Sequence, residues 1–306
     1  MAYSAITAST QRRTILGSIF AFIGGIFMGL LGIAAKLGAP HGVNAYQVVV
    51  AQMSLTALIM AVVILVKHGW RGFRLTNLKL YVIRTTAGTI YFSAFYLSLK
   101  GIPITDALVL ESTSPFFALI IASVMERKRL SKMTLSVLGV AFVGVCLILL
   151  HHSTQTIFNV YALLGLSTGV ARAVGGLSTR ALMQVEPVER ILFYFPLGTL
   201  LIVAASFPWT WPSGSFADGW PYLLAIAILF VPLGLAWAFG NQMAPSYLVG
   251  ALFYSAIIIA ALGDNFIWNV NFTPRVIIGI CLVIGAGLGL TVLEARGLGQ
   301  GKAKPR

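Results

Sequence analysis

The chain has 306 residues, of which 58% are hydrophobic and only 9% are charged. About a quarter of the residues of a soluble globular protein are charged, so this composition excludes that class and indicates a protein embedded in the lipid bilayer. The net charge of +13 does not indicate nucleic-acid binding, because the basic residues are spread over the gaps between apolar runs and form no basic face.

Apolar runs that end at charged or turn residues predict ten membrane-spanning helices of about 20 residues each. In chain order the predicted spans are 15–37, 44–66, 81–99, 104–125, 133–150, 158–183, 190–208, 220–240, 245–263 and 275–294. They leave short loops, a tail at 1–14 and a basic tail at 295–306, with no room for a sizeable extramembrane domain. The first run continues without a small-residue cleavage site and is therefore interpreted as a span, not a signal peptide.

The distribution of Lys and Arg predicts the orientation of the spans. Most of the 21 basic residues fall in the gaps on one side of the membrane, whereas the other side has only Lys36, Lys100 and Arg275. By the positive-inside rule, both termini are then cytoplasmic and the number of spans is even.

The two halves of the chain, 15–150 and 158–294, have a similar arrangement. Each ends with a span of small or aromatic residues, a polar break and a glycine-spaced last span, in which Gly139 and Gly144 correspond to Gly279 and Gly285. Five spans per half mean that the second half begins on the opposite side of the membrane. We therefore expect an all-α membrane protein of two inverted five-helix repeats, with a substrate site near the midplane between them.

The chain resembles the EamA-type transporters of the drug/metabolite transporter superfamily over nearly its whole length, most closely in the segment 83–128. The resemblance consists of an Arg-x-x-x-Gly that opens the third span, an aromatic-rich middle, a Pro-x-x-x-Ala turn, and a Pro in the fourth span with a Glu at its inner end. In this chain these features are Arg84 to Gly88, Tyr91 to Tyr96, Pro103 with Asp106 and Ala107, Pro115, and Glu126.

The resemblance implies ten helices in two inverted five-helix repeats and the movement of small metabolites or drugs, commonly outward. The sequence differs from the family pattern at Gln52, where many relatives carry Arg, at Glu111, where a small or apolar residue is usual, and in the turn at 263–272. These differences leave the substrate class open, because relatives with different substrates share the scaffold.

Two ionisable residues lie deep within predicted spans and are candidates for function, because a charge at membrane depth is costly unless it faces a partner or water. Glu111 in the fourth span would hold a substrate ammonium group or carry a coupling proton, or else pair with a basic residue of a neighbouring helix. Arg172 lies on a polar, small-residue stripe of the sixth span. It would bind a substrate carboxylate bidentately, or else lock two helices together or pair with Glu111.

Aromatic side chains would form the wall of the substrate pocket. Tyr91 and Phe95 share one face of the third span, and Trp237 and Tyr254 are central in the eighth and ninth spans. Such rings pack against an apolar group or attract a cation. The alternative is that they pack within the helix bundle without contacting substrate.

Three other charged residues have structural interpretations. Arg84 lies near the predicted cytoplasmic end of its span, within reach of phosphate headgroups. Asp106 is interpreted as a cap or dipole partner at a helix start, and Asp264 as part of a solvated turn rather than a gate. On the first span, Gly25, Gly29 and Gly32 share a face that allows a neighbouring backbone to approach closely.

The sequence predicts no cofactor, no metal site and no enzyme activity. Its histidines, His41, His68, His151 and His152, lie near loops without an acidic residue at metal-ligand spacing. There is no phosphate-binding loop for an ATP-driven pump. Cys146 and Cys281 lie within apolar runs, so no disulfide framework is expected.

We therefore expect a secondary transporter of a bacterial inner membrane that exports a small amphipathic metabolite, such as an amino acid, by alternating access. Its predicted binding residues are Glu111, Arg172, Tyr91, Phe95, Trp237 and Tyr254. An ion gradient would supply the energy, with the proton as a candidate coupling ion. The alternative on the same scaffold is a carrier of organic cations or drugs anchored by Glu111. An intramembrane enzyme and a non-transporting receptor are the rivals from other classes, and the oligomeric state stays open.

Overall fold

The computed structural model describes residues 2–126, 131–151, 160–205, 218–244, 249 and 252–295, which form helices and turns without a strand. The α-helices are α1 (Ala2–Gly38), α2 (Ala45–His68), α3 (Leu78–Ser98), α4 (Ile104–Glu111), α5 (Ser114–Glu126), α6 (Lys132–His151), α7 (Val160–Met183), α8 (Val188–Ala205), α9 (Trp220–Met243), α10 (Ser255–Trp268) and α11 (Pro274–Ala295). Short 3₁₀ helices at Ala39–His41 and Trp70–Phe73 lie on either side of α2.

Local signals set several helix ends. Asn44 begins α2 with a capping box, in which its side chain accepts from the Gln47 N–H and the Gln47 side chain accepts from the Asn44 N–H. Asn77 caps α3 by accepting from the Leu80 N–H. Gly69, at a φ of +60°, ends α2 in a conformation that side chains rarely adopt.

The helices have the length and composition of membrane spans. Six segments are long and apolar enough to cross a bilayer: Arg13–His41, Ala45–His68, Ile104–Met125, Val160–Met183, Val188–Ala205 and Trp220–Met243. Shorter apolar helices lie at Lys132–Leu147, Ser255–Trp268 and Pro274–Gly289. Large apolar side chains are exposed on the outside of the bundle, for example Val66 at 79% and Phe266 at 77%, where lipid would cover them. The protein is therefore an all-α membrane protein.

The observed helices differ from the predicted spans in three places. The ninth span, predicted at 245–263, has a turn at Phe253 and Tyr254, so that α10 begins at Ser255 and continues to Trp268. The fourth span is divided, because α4 ends at Glu111 and α5 begins at Ser114, with Pro115 at the start of the second piece. The first helix begins at Ala2 and not near residue 15, since residues 2–16 contain no Gly or Pro that would end it. The predicted basic residues 127–129, His152, the end of the seventh span, the start of the ninth and the tail from 296 lie outside the described residues.

The helices of the two halves pack against each other. Helix α1 lies along α9, α3 along α7, α2 along α8, and α6 along α11. Helix α1 also contacts α10, and α7 also contacts α4 and α5. Each of these pairs joins a helix of 15–150 to a helix of 158–294, so the interface between the halves runs through the middle of the bundle.

Candidate functional site

A cavity of about 100 Å³ lies at the interface between the halves. Helices α1, α2 and α3 line it from the first half, and α7, α8 and α9 from the second. Its lining includes two arginines, Arg84 and Arg172, and six aromatic residues: Tyr91, Phe92, Phe195, Phe230, Trp237 and Phe253. The cavity is thus largely apolar with a few polar groups, as small-molecule sites usually are.

Glu111 and Arg172 form an ion pair beside this cavity. Glu111 is the last residue of α4 and is 2% exposed, and its Oε1 contacts the Arg172 Nη1 on α7. Its second oxygen, Oε2, makes no hydrogen bond within the described part of the chain. Among the interpretations that the sequence left open for these two residues, the observed geometry is mutual pairing. Arg172 lines the cavity, whereas Glu111 lies behind it.

Aromatic rings surround the Arg172 guanidinium. Its Cζ lies 4.8 Å from the ring centre of Trp237, 5.4 Å from that of Phe253 and 6.0 Å from that of Tyr91. These distances suit cation–π attraction. Tyr91 and Trp237, both predicted for the pocket wall, do lie on it. Nothing in the sequence distinguished Phe253 from the other phenylalanines.

The other two predicted wall residues lie outside the cavity lining. Phe95 is 0% exposed and packs against Tyr96 at 5.4 Å between ring centres, within the apolar core. The Tyr254 side chain is also buried, and its hydroxyl occupies the space that a Cβ at Gly287 on α11 would fill. Both rings are therefore packed within the helix bundle, because neighbouring helices cover the face that the sequence assigned to the pocket.

Arg84 reaches the cavity, although the sequence favoured an interaction with headgroups. Its Cζ lies 3.8 Å from the ring centre of Phe195. A Cβ at Gly88 would lie 2.6 Å from the Arg84 Nη1, and one at Gly175 would lie 3.4 Å from it. These two glycines leave the space that the guanidinium occupies. The Arg-x-x-x-Gly spacing was therefore the sequence signal for this position of Arg84. The second glycine, Gly175 on α7, could not be identified from that spacing.

Asp264 is buried, which corrects the expectation of a solvated turn. Its carboxylate accepts from the Lys36 Nζ at 3.1 Å, from the Thr105 N–H at 2.7 Å and from the Thr105 hydroxyl at 2.9 Å. Because Thr105 lies in the first turn of α4, the carboxylate also interacts favourably with the positive end of that helix. Asp106, expected to interact with the same helix dipole, is 1% exposed in that first turn.

A second polar cluster lies just beyond the C-terminal end of α2, and it was not predicted from the sequence. Glu186 pairs with Arg190 at 2.5 Å and accepts from the Thr76 side chain. Arg190 also donates through Nε to the Gly72 carbonyl at 2.8 Å. The spacing of four residues between Glu186 and Arg190 was the one sequence signal for this cluster. It joins the α2–α3 loop to the α7–α8 loop.

Within the described residues, no group of three or more His, Cys, Asp or Glu side chains is placed to hold a metal ion. The available chemistry is therefore that of the cavity: guanidinium groups, aromatic ring faces and a buried carboxylate.

Comparisons with known proteins agree with this architecture. Residues 15–150 match the EamA-like transporter family. The pseudopaline exporter CntI of Pseudomonas aeruginosa is 25% identical over 218 residues, which cover 70% of this chain and 75% of the exporter. A riboflavin transporter of Brucella anthropi is 24% identical over 248 residues, covering 76% of this chain and 84% of the transporter.

A more distant relative and a solved structure match over nearly the full length. An uncharacterized transporter of Helicobacter pylori is 18% identical over 295 residues, covering 91% of this chain and 95% of the relative. A crystal structure with 16% sequence identity covers 90% of this chain and 98% of its own, with a TM-score of 0.63. At that identity the structural likeness concerns the fold alone.

Proposed function

Because the chain belongs to the EamA-type transporters of the drug/metabolite transporter superfamily, we propose that this membrane transporter is a secondary exporter of a small amphipathic metabolite, such as an amino acid. The observation that carries the proposal is the cavity between the halves, lined by aromatic rings and two guanidinium groups. Rings would contact the apolar part of a substrate, and a guanidinium its carboxylate. The relatives named as exporter and transporter carry small molecules, which supports a substrate of that size.

The proposed scaffold is ten spans in two inverted repeats, and the helix contacts support it. Counting five spans per half makes α1 equivalent to α7, α2 to α8, α3 to α9, α4 with α5 to α10, and α6 to α11. Exchanging the halves then turns the α1–α9 contact into the α7–α3 contact, and α1–α10 into α7 with α4 and α5. The α2–α8 and α6–α11 contacts map onto themselves. This pattern is expected of repeats related by a two-fold axis in the membrane plane.

Such a scaffold would transport by alternating access, with the halves rocking about the cavity. We propose a bacterial inner membrane with both termini cytoplasmic, because basic residues gather at one end of the bundle. They lie at the end of α2, the start of α3, the end of α7 and the start of α8, and include Lys67, Lys79, Arg180 and Arg190. A proton is the proposed coupling ion.

The pairing of Glu111 with Arg172 disfavours the alternative of an organic-cation carrier. That alternative needs Glu111 as a free anionic anchor, but Arg172 already neutralises it. The same arginine also occupies the ring faces of Trp237 and Phe253, where an organic cation would otherwise be attracted.

Counterflow in proteoliposomes tests the proposal. Neutral amino acids and organic cations would be compared as two panels, each with and without a pH gradient, and protein-free vesicles would give the background. We expect amino-acid flux that responds to the pH gradient. Flux of cations alone would support the alternative carrier, and no flux with either panel would contradict the transport proposal.

A matched pair of tryptophan variants connects the flux to the cavity. Trp237→Ala removes a ring from the cavity wall, whereas Trp70→Ala removes one that is 83% exposed. We expect flux to fall in the first variant and to persist in the second. Equal flux in both would contradict the placement of the substrate in this cavity.

A further inference from the structure

Arg84 is a cation on the cavity wall, and among the described residues it has no ion-pair partner. Within the described part of the chain its Nε makes no hydrogen bond. Four ion pairs of that same part join other residues: Lys36 with Asp264, Lys67 with Glu189, Arg172 with Glu111, and Arg190 with Glu186. A guanidinium at membrane depth is costly unless it meets a partner or water. Arg84 therefore has unused capacity for an anionic partner.

The charges around the cavity do not cancel. Arg84 and Arg172 line it, and Glu111 contacts Arg172 from behind the wall. One carboxylate against two guanidinium groups leaves an excess of one positive charge. A ligand with one negative charge would neutralise this excess, whereas a cationic ligand would double it.

The structure holds the Arg84 guanidinium in a defined position. The Phe195 ring covers one side of it at 3.8 Å, and the missing side chains of Gly88 and Gly175 make room for Nη1 between α3 and α7. A guanidinium has five N–H donors around its edge. With a ring on its face, its edge is the part left for a ligand, and that edge matches the two oxygens of a carboxylate.

We propose that Arg84 binds the anionic group of the substrate, and that the substrate is an organic anion with an aromatic or apolar body. This inference rests on the proposed transport function and narrows its substrate class. The rings of Phe92, Phe230 and Trp237 line the same cavity as Arg84, so they would contact the apolar body while the guanidinium holds the charge. Arg172 remains paired with Glu111, so this pair adds no net charge to the site and mainly shapes the cavity wall.

An oxyanion could come from a soluble carboxylate or from a lipid phosphate, and the chemistry of the guanidinium is the same for both. The aromatic lining favours the soluble organic anion, because rings on several sides of a cavity suit a compact apolar body. The experiment therefore includes an arm for each source.

Three compounds with one aromatic body and different charges test the inference: phenylpropanoate as the anion, phenylalanine as the zwitterion and phenylpropylamine as the cation. Binding is read as the rise in melting temperature of the full chain in detergent, and transport as counterflow in proteoliposomes. We expect phenylpropanoate to stabilise and cross fastest, phenylalanine to follow, and phenylpropylamine to have the smallest effect.

Three variants then assign the charge preference to one residue. Arg84→Gln removes the charge, and we expect it to weaken phenylpropanoate binding and flux by about tenfold or more. Arg84→Lys keeps the charge and should retain the order of the three compounds with weaker binding. Arg74→Gln makes the same substitution at an exposed arginine and should leave every value unchanged.

The two readouts separate the inference from the transport proposal. Stabilisation by phenylpropanoate that depends on Arg84, without flux of any compound, would support the anion site and contradict transport. Flux in which the amine equals or exceeds the acid, or in which Arg84→Gln keeps the preference for the acid, would overturn the inference and leave transport standing. Should Arg84→Gln fail to fold, the order of the three compounds in the wild-type protein and in Arg84→Lys still tests the inference. Stabilisation by phosphatidylglycerol in place of phenylpropanoate, again dependent on Arg84, would also overturn the inference.

Discussion

At two places in the bundle, here called junctions, a helix packs against the break in an interrupted span. The two junctions have similarly close backbone contacts but different side-chain chemistry. Helix α7 packs against the break between α4 and α5, where a Cβ at Gly169 would lie 3.1 Å from the Leu110 carbonyl oxygen. Helix α1 packs against the turn that precedes α10, where a Cβ at Gly25 would lie 3.1 Å from the Phe253 carbonyl oxygen. In both places a glycine allows one helix to approach the backbone of an interrupted span.

The difference appears three residues beyond each glycine. On α7 this position is Arg172, which pairs with the buried Glu111. On α1 it is Met28, and the nearby polar contact is a neutral hydrogen bond from the Ser255 hydroxyl to the Phe22 carbonyl at 3.0 Å. Both Arg172 and Met28 line the cavity. The uncharged junction shows that close packing of this kind does not need an ion pair.

The largest expected loss of stability follows from replacing Arg172 of the charged junction by methionine, the residue at the equivalent position of the neutral junction. Arg172→Met leaves the Glu111 carboxylate buried without its partner, and breaking a buried pair from one side costs about 3–5 kcal/mol. Arg172→Met combined with Glu111→Leu removes both charges and should recover most of that stability. Melting temperature in detergent would measure this difference.

Counterflow on the same two variants separates function from folding. We expect the double variant to be stable but to have lost most of its flux, because it lacks the guanidinium that lies among the cavity rings in the wild type. A double variant that transports at the wild-type rate would show that the charged junction is only a packing device. A stable Arg172→Met variant would show that Glu111 is not dependent on this partner.

The residues that form the two junctions were easier to predict from the sequence than the contacts between them. Glu111, Arg172 and the glycine face containing Gly25 stand out because each breaks the apolar pattern of its own helix. The pairing of Glu111 with Arg172 is a contact between helices of different halves, and the periodicity of one helix does not fix its rotation against another. The same reason places Phe95 behind the cavity, although its spacing from Tyr91 puts both on one face of α3.

Hydropathy and length are properties of each segment alone, so they located most helices, but they did not predict the early start of α1 or the breaks in the fourth and ninth spans. Burial at the span ends was not predictable in this way. Asp264 is next to a turn in the sequence, yet it is buried because Lys36 and Thr105 come from two other helices. Arg84 turns into the cavity because glycines on two helices leave space for it.

A smaller effect tests whether the two backbone fits are equivalent. Gly25→Ala and Gly169→Ala each place a methyl group against a carbonyl oxygen of the facing span, and overpacking of this kind costs about 1–3 kcal/mol. We expect similar falls in melting temperature for both. A fall in one variant alone would contradict the equivalence of the junctions.

The matched controls for these glycines are Gly139→Ala and Gly176→Ala, since a Cβ at either position would meet no atom within 4 Å. Both control variants should keep or slightly raise the melting temperature, because alanine is the better helix former by about 1 kcal/mol. Falls as large as those at Gly25 and Gly169 would mean that helix bending, and not close approach, sets the cost.

The charged cluster near the end of α1 is expected to make an intermediate contribution to stability. Lys36→Met leaves Asp264 buried with only the Thr105 N–H and hydroxyl as donors. Because those two donors still solvate the carboxylate, we expect a loss of about 1–3 kcal/mol, less than for Arg172→Met. Melting temperatures of the two variants, measured side by side, check this order, and a reversed order would show that Glu111 has better alternative partners than Asp264.

The smallest effect is expected for the ion pair between Lys67 and Glu189, although its separation of 2.6 Å is shorter than the 3.1 Å between Lys36 and Asp264. The Lys67 side chain is 57% exposed, against 18% for Lys36, so water and salt screen its charge and the pair contributes at most about 1 kcal/mol. Lys67→Met should therefore change the melting temperature little, and the small change should shrink further at high salt. A loss equal to that of Lys36→Met would mean that contact distance outweighs burial, and the contrast between the two junctions would then need an explanation other than the desolvation of their charges.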